Sequence, residues 1–177
     1  LHNGIIPHNQ HGFLANRSVV TCLLTSLNQW TSYLHANDPI DVLYLDFEKA
    51  FNRVLHMRLL TKLEHLGIRG NLLKWVSAFL SDRFFIVTVG NFKSIERPVL
   101  SGVPQGFVLR PLLFSLYMSD LSTLVQSQHV FYADDCKIFG RSIDHKMIQR
   151  DLEIVKTWSQ DWLIPLNVDK FVTLHLG

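Results

Sequence analysis

An acidic pair between two apolar, β-forming segments is the feature that most constrains this sequence. Asp134 and Asp135 follow residues 130–133 and precede residues 137–139, a pattern that predicts a β-hairpin with both carboxylates at its tip. Adjacent carboxylates repel each other, so each makes ionisation of the other more costly. The pair is therefore either an ordinary polar turn, which is the commoner case, or a site that holds a cation.

A third carboxylate follows another β-forming segment. Residues 40–45 alternate in the manner of a strand and run directly into Asp46. If this strand ends beside the hairpin, three carboxylates meet, which suits Mg²⁺ because that ion prefers oxygen ligands and keeps waters and phosphates in its shell. An aspartate in this position is also a common helix N-cap, so the residues alone leave both interpretations open.

The remaining segments interleave helices and strands without a regular βαβ rhythm, which predicts an α+β fold. Ser18 is the expected N-cap of the first helix. In the predicted hairpin, alternation places about half of Phe84, Phe85 and Phe92 in the core and leaves the others free to stack on bases. The patterns predict helices over 18–36, 55–66, 71–81, 108–124 and 143–162, a hairpin over 84–99 and a closing strand over 171–176.

Composition excludes several classes of protein. A chain of 177 residues that is 47% hydrophobic and 18% charged is neither disordered nor too short for a core. With 9 Gly and 2 Cys it is neither collagen-like nor stapled by disulfides, and Cys22 and Cys136 are expected to be free thiols. The richest apolar stretch, residues 111–118, is far shorter than the roughly 20 residues that span a membrane.

Several blocks then occur in one order. They are residues 45–54 (Leu-Asp-Phe-Glu-Lys-Ala-Phe-Asn-Arg-Val), 100–106 (Leu-Ser-Gly-Val-Pro-Gln-Gly) continuing to 111–114, and 131–135 (Phe-Tyr-Ala-Asp-Asp), flanked by 10–13 (Gln-His-Gly-Phe) and 166–170 (Leu-Asn-Val-Asp-Lys). Together they closely resemble the reverse transcriptase domain of non-LTR, LINE-type retrotransposons. The resemblance runs from about residue 10 to residue 177.

The resemblance implies an RNA-directed DNA polymerase, which transfers a nucleotide to a primer 3′ hydroxyl with the help of two Mg²⁺ ions. It implies that Asp46, Asp134 and Asp135 are the catalytic residues and the metal ligands. The implied partners are an RNA template, a DNA primer, deoxynucleoside triphosphates and the rest of the element's polyprotein, with no membrane. The implied location is intracellular, in the nucleus or the cytoplasm.

The resemblance also assigns nucleotide-binding residues. Phe51 matches the bulky position that crowds a ribose 2′ hydroxyl, although a core aromatic is the simpler interpretation. Gln105 and Gly106 match the wall of the nucleotide pocket. Lys170 matches a lysine near the triphosphate, although a solvated lysine at a loop end is equally expected.

The implied fold is the palm of a right-hand polymerase with part of the fingers. Residues of about 1–39 and 55–98 are expected to be fingers-like, and about 40–54 and 99–177 to be palm. Because the chain starts at Leu1 without a Met, it is expected to be a piece of a longer product. The high apolar content is then expected to include interface, so the isolated chain should aggregate or bind hydrophobic dyes.

Two positions depart from the family's pattern. Phe107 stands where a Ser is usual, beside the expected nucleotide pocket, and Arg110 stands where a Gly usually starts a tightly packed helix. We therefore expect the 177 residues alone to bind Mg²⁺ weakly and to extend a primer little or not at all. One alternative is a non-catalytic retrotransposon relic that acts at most as a nucleic-acid-binding module. Another, a nucleotide cyclase or a replicative RNA polymerase, is disfavoured by the blocks.

Overall fold

Helices and strands are interleaved along the chain, as the sequence predicts. A computed structural model describes residues 5–104 and 109–177. Short 3₁₀ turns cover Ser142–Asp144 and Val168–Lys170. The elements are α1 (Val19–His35), β1 (Ile40–Leu45), α2 (Ala50–Arg53), α3 (His56–His65), α4 (Gly70–Leu80), β2 (Phe84–Phe85), β3 (Thr88–Val89), β4 (Phe92–Lys93), β5 (Arg97–Pro98), α5 (Leu109–Met118), α6 (Leu121–Leu124), β6 (Gln128–Tyr132), β7 (Asp135–Arg141), α7 (His145–Asp161) and β8 (Val172–Leu176).

The main sheet has four antiparallel strands in the order β6-β7-β1-β8. β1 lies between β7 and β8, and its last residue, Leu45, pairs with Cys136 of β7. β6 and β7 form a hairpin that closes with the pair Tyr132 and Asp135. This register brings the end of β1 to the same edge of the sheet as the β6–β7 turn.

Helices cover both faces of the sheet. On one face, α1 packs its buried residues Cys22 and Trp30 against Val42 and Phe139. On the other face, Leu45 and Ile138 join a larger core built with α3, α5 and α7. The alternation of side chains along each strand produces this division, since successive residues point to opposite faces. The α+β class predicted from the sequence is confirmed.

The first helix begins where its sequence predicts. The Ser18 hydroxyl accepts a hydrogen bond from the Thr21 backbone N–H, and the Thr21 hydroxyl accepts one from the Ser18 N–H. This reciprocal capping box satisfies N–H groups that a helix start otherwise leaves free. No helix among residues 5–104 and 109–177 is long and apolar enough to cross a membrane.

The hairpin predicted over 84–99 forms and turns at Gly90, but its strands pair in two short ladders, β2 with β5 and β3 with β4. Phe84, Phe85 and Phe92 are all exposed, by 59%, 49% and 83%. The expectation that half of these rings belong to the core was wrong, because a core position needs a partner layer that alternation alone does not supply.

Two other predictions need adjustment at their boundaries. The helix predicted over 108–124 is divided at Ser119 and Asp120 into α5 and α6. Asp120 uses its carboxylate to bind Lys62 of α3 and the indole N–H of Trp158 of α7, and the break lies at this junction. The acidic turn is also tighter than predicted, since Asp135 already belongs to β7.

Candidate active site

Asp46 leaves β1 at the edge of the sheet and enters a turn before α2. Its backbone carbonyl accepts a hydrogen bond of 2.8 Å from the Asn167 N–H. Its carboxylate oxygen Oδ2 is buried and has no hydrogen bond, while the Lys170 Nζ lies 3.0 Å from it as an ion pair. The Asp46 side chain is 22% exposed, so the carboxylate is mostly buried but still in contact with solvent.

The β6–β7 turn presents the other two carboxylates. Ala133 and Asp134 form a two-residue turn, and Ala133 has a left-handed backbone with φ 58°. Asp135 follows directly on β7, one residue before the pair between Cys136 and Leu45. Asp46 therefore lies at the same edge of the sheet as the acidic turn, near enough for its charge to act on Asp134 and Asp135.

Two of the three aspartates have raised pKa values. Burial raises the pKa of Asp134, and the charges of Asp135 and Asp46 raise it further. Burial also raises the pKa of Asp135, followed in size by the charge of Asp46. The ammonium of Lys170 opposes both shifts. A cation bound among these groups would relieve a repulsion that the fold imposes.

The donor set suits a hard divalent cation, because it consists of carboxylate oxygens. As the side chains stand, no cluster of three or more His, Cys, Asp or Glu within the described ranges converges to hold a metal ion. The Lys170 ammonium supplies the countercharge to Asp46 instead. By residue type the three aspartates suit a divalent cation, but their side chains do not converge on a common point in this structure.

Phe51 lies on α2, five residues after Asp46, and is held by other aromatic rings. It stacks on Phe114 of α5 with the ring centroids 4.0 Å apart, and Phe13 meets its edge at 6.0 Å. The Arg110 guanidinium carbon lies 4.9 Å from the centre of the Phe51 ring. The ring is partly buried, so the core-aromatic interpretation describes most of its contacts.

The loop after the hairpin docks on α2. The Gly102 N–H donates to the Val54 carbonyl at 2.7 Å, and the Val103 N–H donates to the Phe51 carbonyl at 3.0 Å. Gly102 has φ 86°, and a Cβ there would meet the Asn52 backbone at 3.1 Å, so this position favours glycine. Gln105 and Gly106, assigned above to the nucleotide pocket, and Phe107 lie outside the described residues.

Comparison with known proteins identifies the family. Residues 1–175 match the family model described as "Reverse transcriptase (RNA-dependent DNA polymerase)". The chain belongs to the reverse transcriptase family. The resemblance seen in its blocks is confirmed.

The curated relatives of this reverse transcriptase chain include insect mobile elements. It is 31% identical to the "RNA-directed DNA polymerase from mobile element jockey" of Drosophila melanogaster, over 93% of this chain and 19% of that protein. It is also 31% identical to the "Probable RNA-directed DNA polymerase from transposon X-element" of the same species, over 94% of this chain and 19% of that protein. The chain thus spans about a fifth of the length of these relatives.

Solved structures of low identity share the fold. Apo telomerase from Candida tropicalis, truncated from the C-terminal domain, superposes with a TM-score of 0.73 at 12% identity. That match covers 96% of this chain and 36% of the telomerase chain. The similarity agrees with the palm-type α+β fold expected for a reverse transcriptase.

Sequence reasoning missed one residue that contacts the acidic turn. Gln10 is part of a flanking block, and its buried side chain forms two hydrogen bonds with the Ala133 backbone and one with the Gly12 N–H. Its partner Ala133 lies 123 positions away in the sequence. The signal in the sequence was Gly12, two residues after Gln10, because a glycine allows another backbone to approach closely. The sequence does not show which segment approaches it.

Proposed function

We propose that this chain is the palm, with part of the fingers, of an RNA-directed DNA polymerase that uses two Mg²⁺ ions. The observation that carries the proposal is the meeting of Asp46 with the acidic turn. The register of β1 on β7 supports it, because Leu45 pairs with Cys136 and so places Asp46 next to Asp135. Burial raises the pKa values of Asp134 and Asp135, and the charge of Asp46 raises both further, which agrees with its position beside the acidic turn.

Asp46, Asp134 and Asp135 would hold the ions. When bound, two divalent ions stabilise the attacking and leaving oxygens of an in-line displacement at the nucleotide α-phosphate. The protein's own share is positioning and charge. β1 and the β6–β7 turn hold the carboxylates on paired strands, which locate a site more accurately than a free loop would.

Phe51 would form the wall beside the nucleotide sugar, and the stacked Phe114 ring would keep it from turning away from a ribose 2′ hydroxyl. Gln105 and Gly106 would complete the pocket. Lys170 keeps its ammonium on Asp46 in this structure, and its side chain is 66% exposed. Once Asp46 ligates a cation, Lys170 is free to donate to the triphosphate.

The same proposal includes the partners. The RNA template, the DNA primer and the deoxynucleoside triphosphates would meet at the acidic edge of the sheet, within an intracellular protein of the nucleus or cytoplasm. The remaining fingers, the thumb and an endonuclease would come from the rest of the polyprotein. We further propose that residues of about 1–39 and 55–98 are fingers-like, and that 40–54 and 99–177 are palm.

Metal binding tests the proposal without requiring turnover. We expect the full chain to bind Mn²⁺ in a titration followed by electron paramagnetic resonance, and D46N and D135N to weaken that binding by about tenfold or more, since each removes a ligand charge. D161N is the matched control, because Asp161 is an exposed aspartate at the end of α7. Equal Mn²⁺ affinities in D46N, D161N and the unaltered chain would contradict the proposal.

Primer extension tests the reaction itself. On poly(A) with oligo(dT) we expect little extension by the chain alone, and we expect D46N to abolish whatever extension occurs. Extension that prefers ribonucleotides to deoxynucleotides would contradict the assignment.

The Lys170–Asp46 ion pair favours a second candidate, a non-catalytic module that binds nucleic acid, because it neutralises Asp46 without a metal. RNA–DNA duplex binding that is unchanged in D46N, together with an absence of Mn²⁺ binding, would support that candidate instead.

A further inference from the structure

A short N-terminal segment binds the acidic turn from outside the sheet. We call residues 9–12 the strap. The strap runs parallel to β6, with the Phe131 N–H donating to the Asn9 carbonyl at 2.9 Å and the His11 N–H donating to the Phe131 carbonyl at 2.8 Å. It thereby adds a partner to β6, which is an edge strand of the four-stranded sheet.

The Gln10 side chain links the strap to the turn. Its amide oxygen accepts hydrogen bonds from the Ala133 N–H at 2.9 Å and the Gly12 N–H at 2.7 Å. Its amide nitrogen donates to the Ala133 carbonyl at 3.1 Å. Gln10 is 4% exposed, so its bonds to both backbone polar groups of Ala133 lie out of water. Ala133 immediately precedes Asp134.

The strap packs directly against the backbone of the turn. A Cβ added at Gly12 would overlap the Ala133 backbone nitrogen, which shows how closely the two backbones pack. Behind the strap, the Arg17 guanidinium donates to the carbonyl of Gln10 at 2.9 Å and also to that of His8. Hydrogen bonds therefore link Arg17, just before α1, to Gln10 and link Gln10 to Ala133, the residue before Asp134.

We propose that Gln10 is a positioning residue for the candidate metal centre. It holds Ala133 in its left-handed conformation and thereby sets where Asp134 and Asp135 stand relative to Asp46. This inference rests on the proposed function and deepens it. It concerns the ligand geometry of a divalent-cation site, so a defect should appear in metal affinity and in the mobility of the turn, not only in overall stability.

Q10M tests the proposal, since methionine keeps the side-chain volume and removes all three hydrogen bonds. Supporting residues behind a metal ligand are typically worth 10–100-fold in metal affinity. We expect the full chain with Q10M to bind Mn²⁺ at least about tenfold more weakly. We also expect backbone amides 132–135 to exchange hydrogen faster in metal-free buffer.

Q29M is the matched control. Gln29 also bridges to β6, through a bond of 3.2 Å to the Gln128 side chain, but at the end of the strand remote from the acidic turn. We expect Q29M to keep the Mn²⁺ affinity and the exchange rates of the unaltered chain. Equal loss of Mn²⁺ affinity in both variants would mark a general loss of structure and would contradict positioning by Gln10.

The remaining outcomes are also decisive. A folded Q10M chain with unchanged Mn²⁺ affinity overturns the proposal. If circular dichroism shows that Q10M does not fold, Q10E decides. Glutamate keeps both accepted bonds, loses the donation to the Ala133 carbonyl and adds a negative charge, so hydrogen exchange of amides 132–135 is its readout; exchange rates equal to those of the unaltered chain overturn the proposal as well. An unaltered chain that binds no Mn²⁺ contradicts the proposed function, and this inference falls with it.

Discussion

A buried lysine offers the sharpest test of how this fold is held together. Lys62 of α3 is 8% exposed, and its Nζ lies 2.6 Å from Asp120 Oδ1 and 3.7 Å from the centre of the Trp162 ring. It also donates to the Tyr117 carbonyl near the end of α5. One ammonium thus lies at the junction of α3, α5 and α7, and its charge is paired with the partly exposed carboxylate of Asp120.

The two halves of this pair should respond unequally to mutation. Removing one partner of a buried ion pair leaves an uncompensated charge and costs about 3–5 kcal/mol, whereas replacing the charge by an apolar group of similar volume is often close to neutral. Asp120 is 35% exposed, so water partly compensates for its loss, and we place D120A near the lower figure, about 3 kcal/mol. K62M should lower the free energy of unfolding by about 1 kcal/mol, mainly because the hydrogen bond to the Tyr117 carbonyl is lost.

The assay is urea denaturation followed by circular dichroism, with a thermal melt beside it. For a chain of this size, 1 kcal/mol shifts Tm by roughly 2–4 °C, so D120A should melt about 6–12 °C lower and K62M about 2–4 °C lower. The double variant should be about 1 kcal/mol less stable than K62M, because it also loses the hydrogen bond from the Trp158 indole N–H to Asp120, and its loss should be smaller than the sum of the two single losses. A larger loss in K62M than in D120A, or additive losses, would refute the reasoning.

The same pair predicts a pH dependence with a definite sign. Burial lowers the pKa of Lys62 below its usual 10.5, against the opposing influence of Asp120. Between the folded and the unfolded pKa, the unfolded chain binds more protons, so stability rises with pH. D120A removes the carboxylate that opposes this lowering, so its stability should increase more with pH than that of the unaltered chain. The difference in unfolding free energy between D120A and K62M should therefore become smaller as the pH rises from about 7 to 10.

Three further outcomes are expected. Burial lowers the pKa of His129 below 6.5, so its contribution to stability is present above that pH and is lost on acidification. In acid-denaturation titrations, H129Q should therefore lose stability less steeply than the unaltered chain as the pH falls, and an equally steep loss would contradict this. F114A removes a fully buried ring stacked on Phe51 and should cost about 3–5 kcal/mol in urea denaturation, a loss under about 1 kcal/mol being inconsistent with such packing. The chain should bind a hydrophobic dye and associate with rising concentration, because α1 and the 84–99 hairpin expose large apolar side chains, whereas a monomeric, dye-silent preparation would count against this.

Local signals in the sequence predicted much of the fold. Ser18 before a 3.6-residue apolar period marked α1, and the alternation of residues 40–45 marked β1, because capping and periodicity depend only on near neighbours. The placement of Asp46 beside the acidic turn needed a strand pairing between distant segments. Periodicity does not show which strands pair, so the expectation that Asp46 lies beside the acidic turn depended on the resemblance of the blocks.

The errors share a physical cause. Residues 84–99 alternate like a half-buried hairpin, yet among the described residues no layer covers Phe84, Phe85 or Phe92. The break between α5 and α6 lies at Asp120, whose partners Lys62 and Trp158 come from other helices. The role of Gln10 likewise depends on a turn more than a hundred residues away. Each of these features is decided by tertiary contacts that local patterns do not encode.

The most direct test of the central claim is the location of a bound ion. Backbone amide resonances of the isotope-labelled chain would be followed while Mn²⁺ is added in small amounts, since the paramagnetic ion broadens nearby signals. We predict that the signals of Asp46, Asp134 and Asp135 disappear first and that D46N prevents this. Broadening that begins elsewhere, for example around Asp41 or Asp161, or that is unchanged in D46N, would contradict the assignment of these three aspartates as a metal centre.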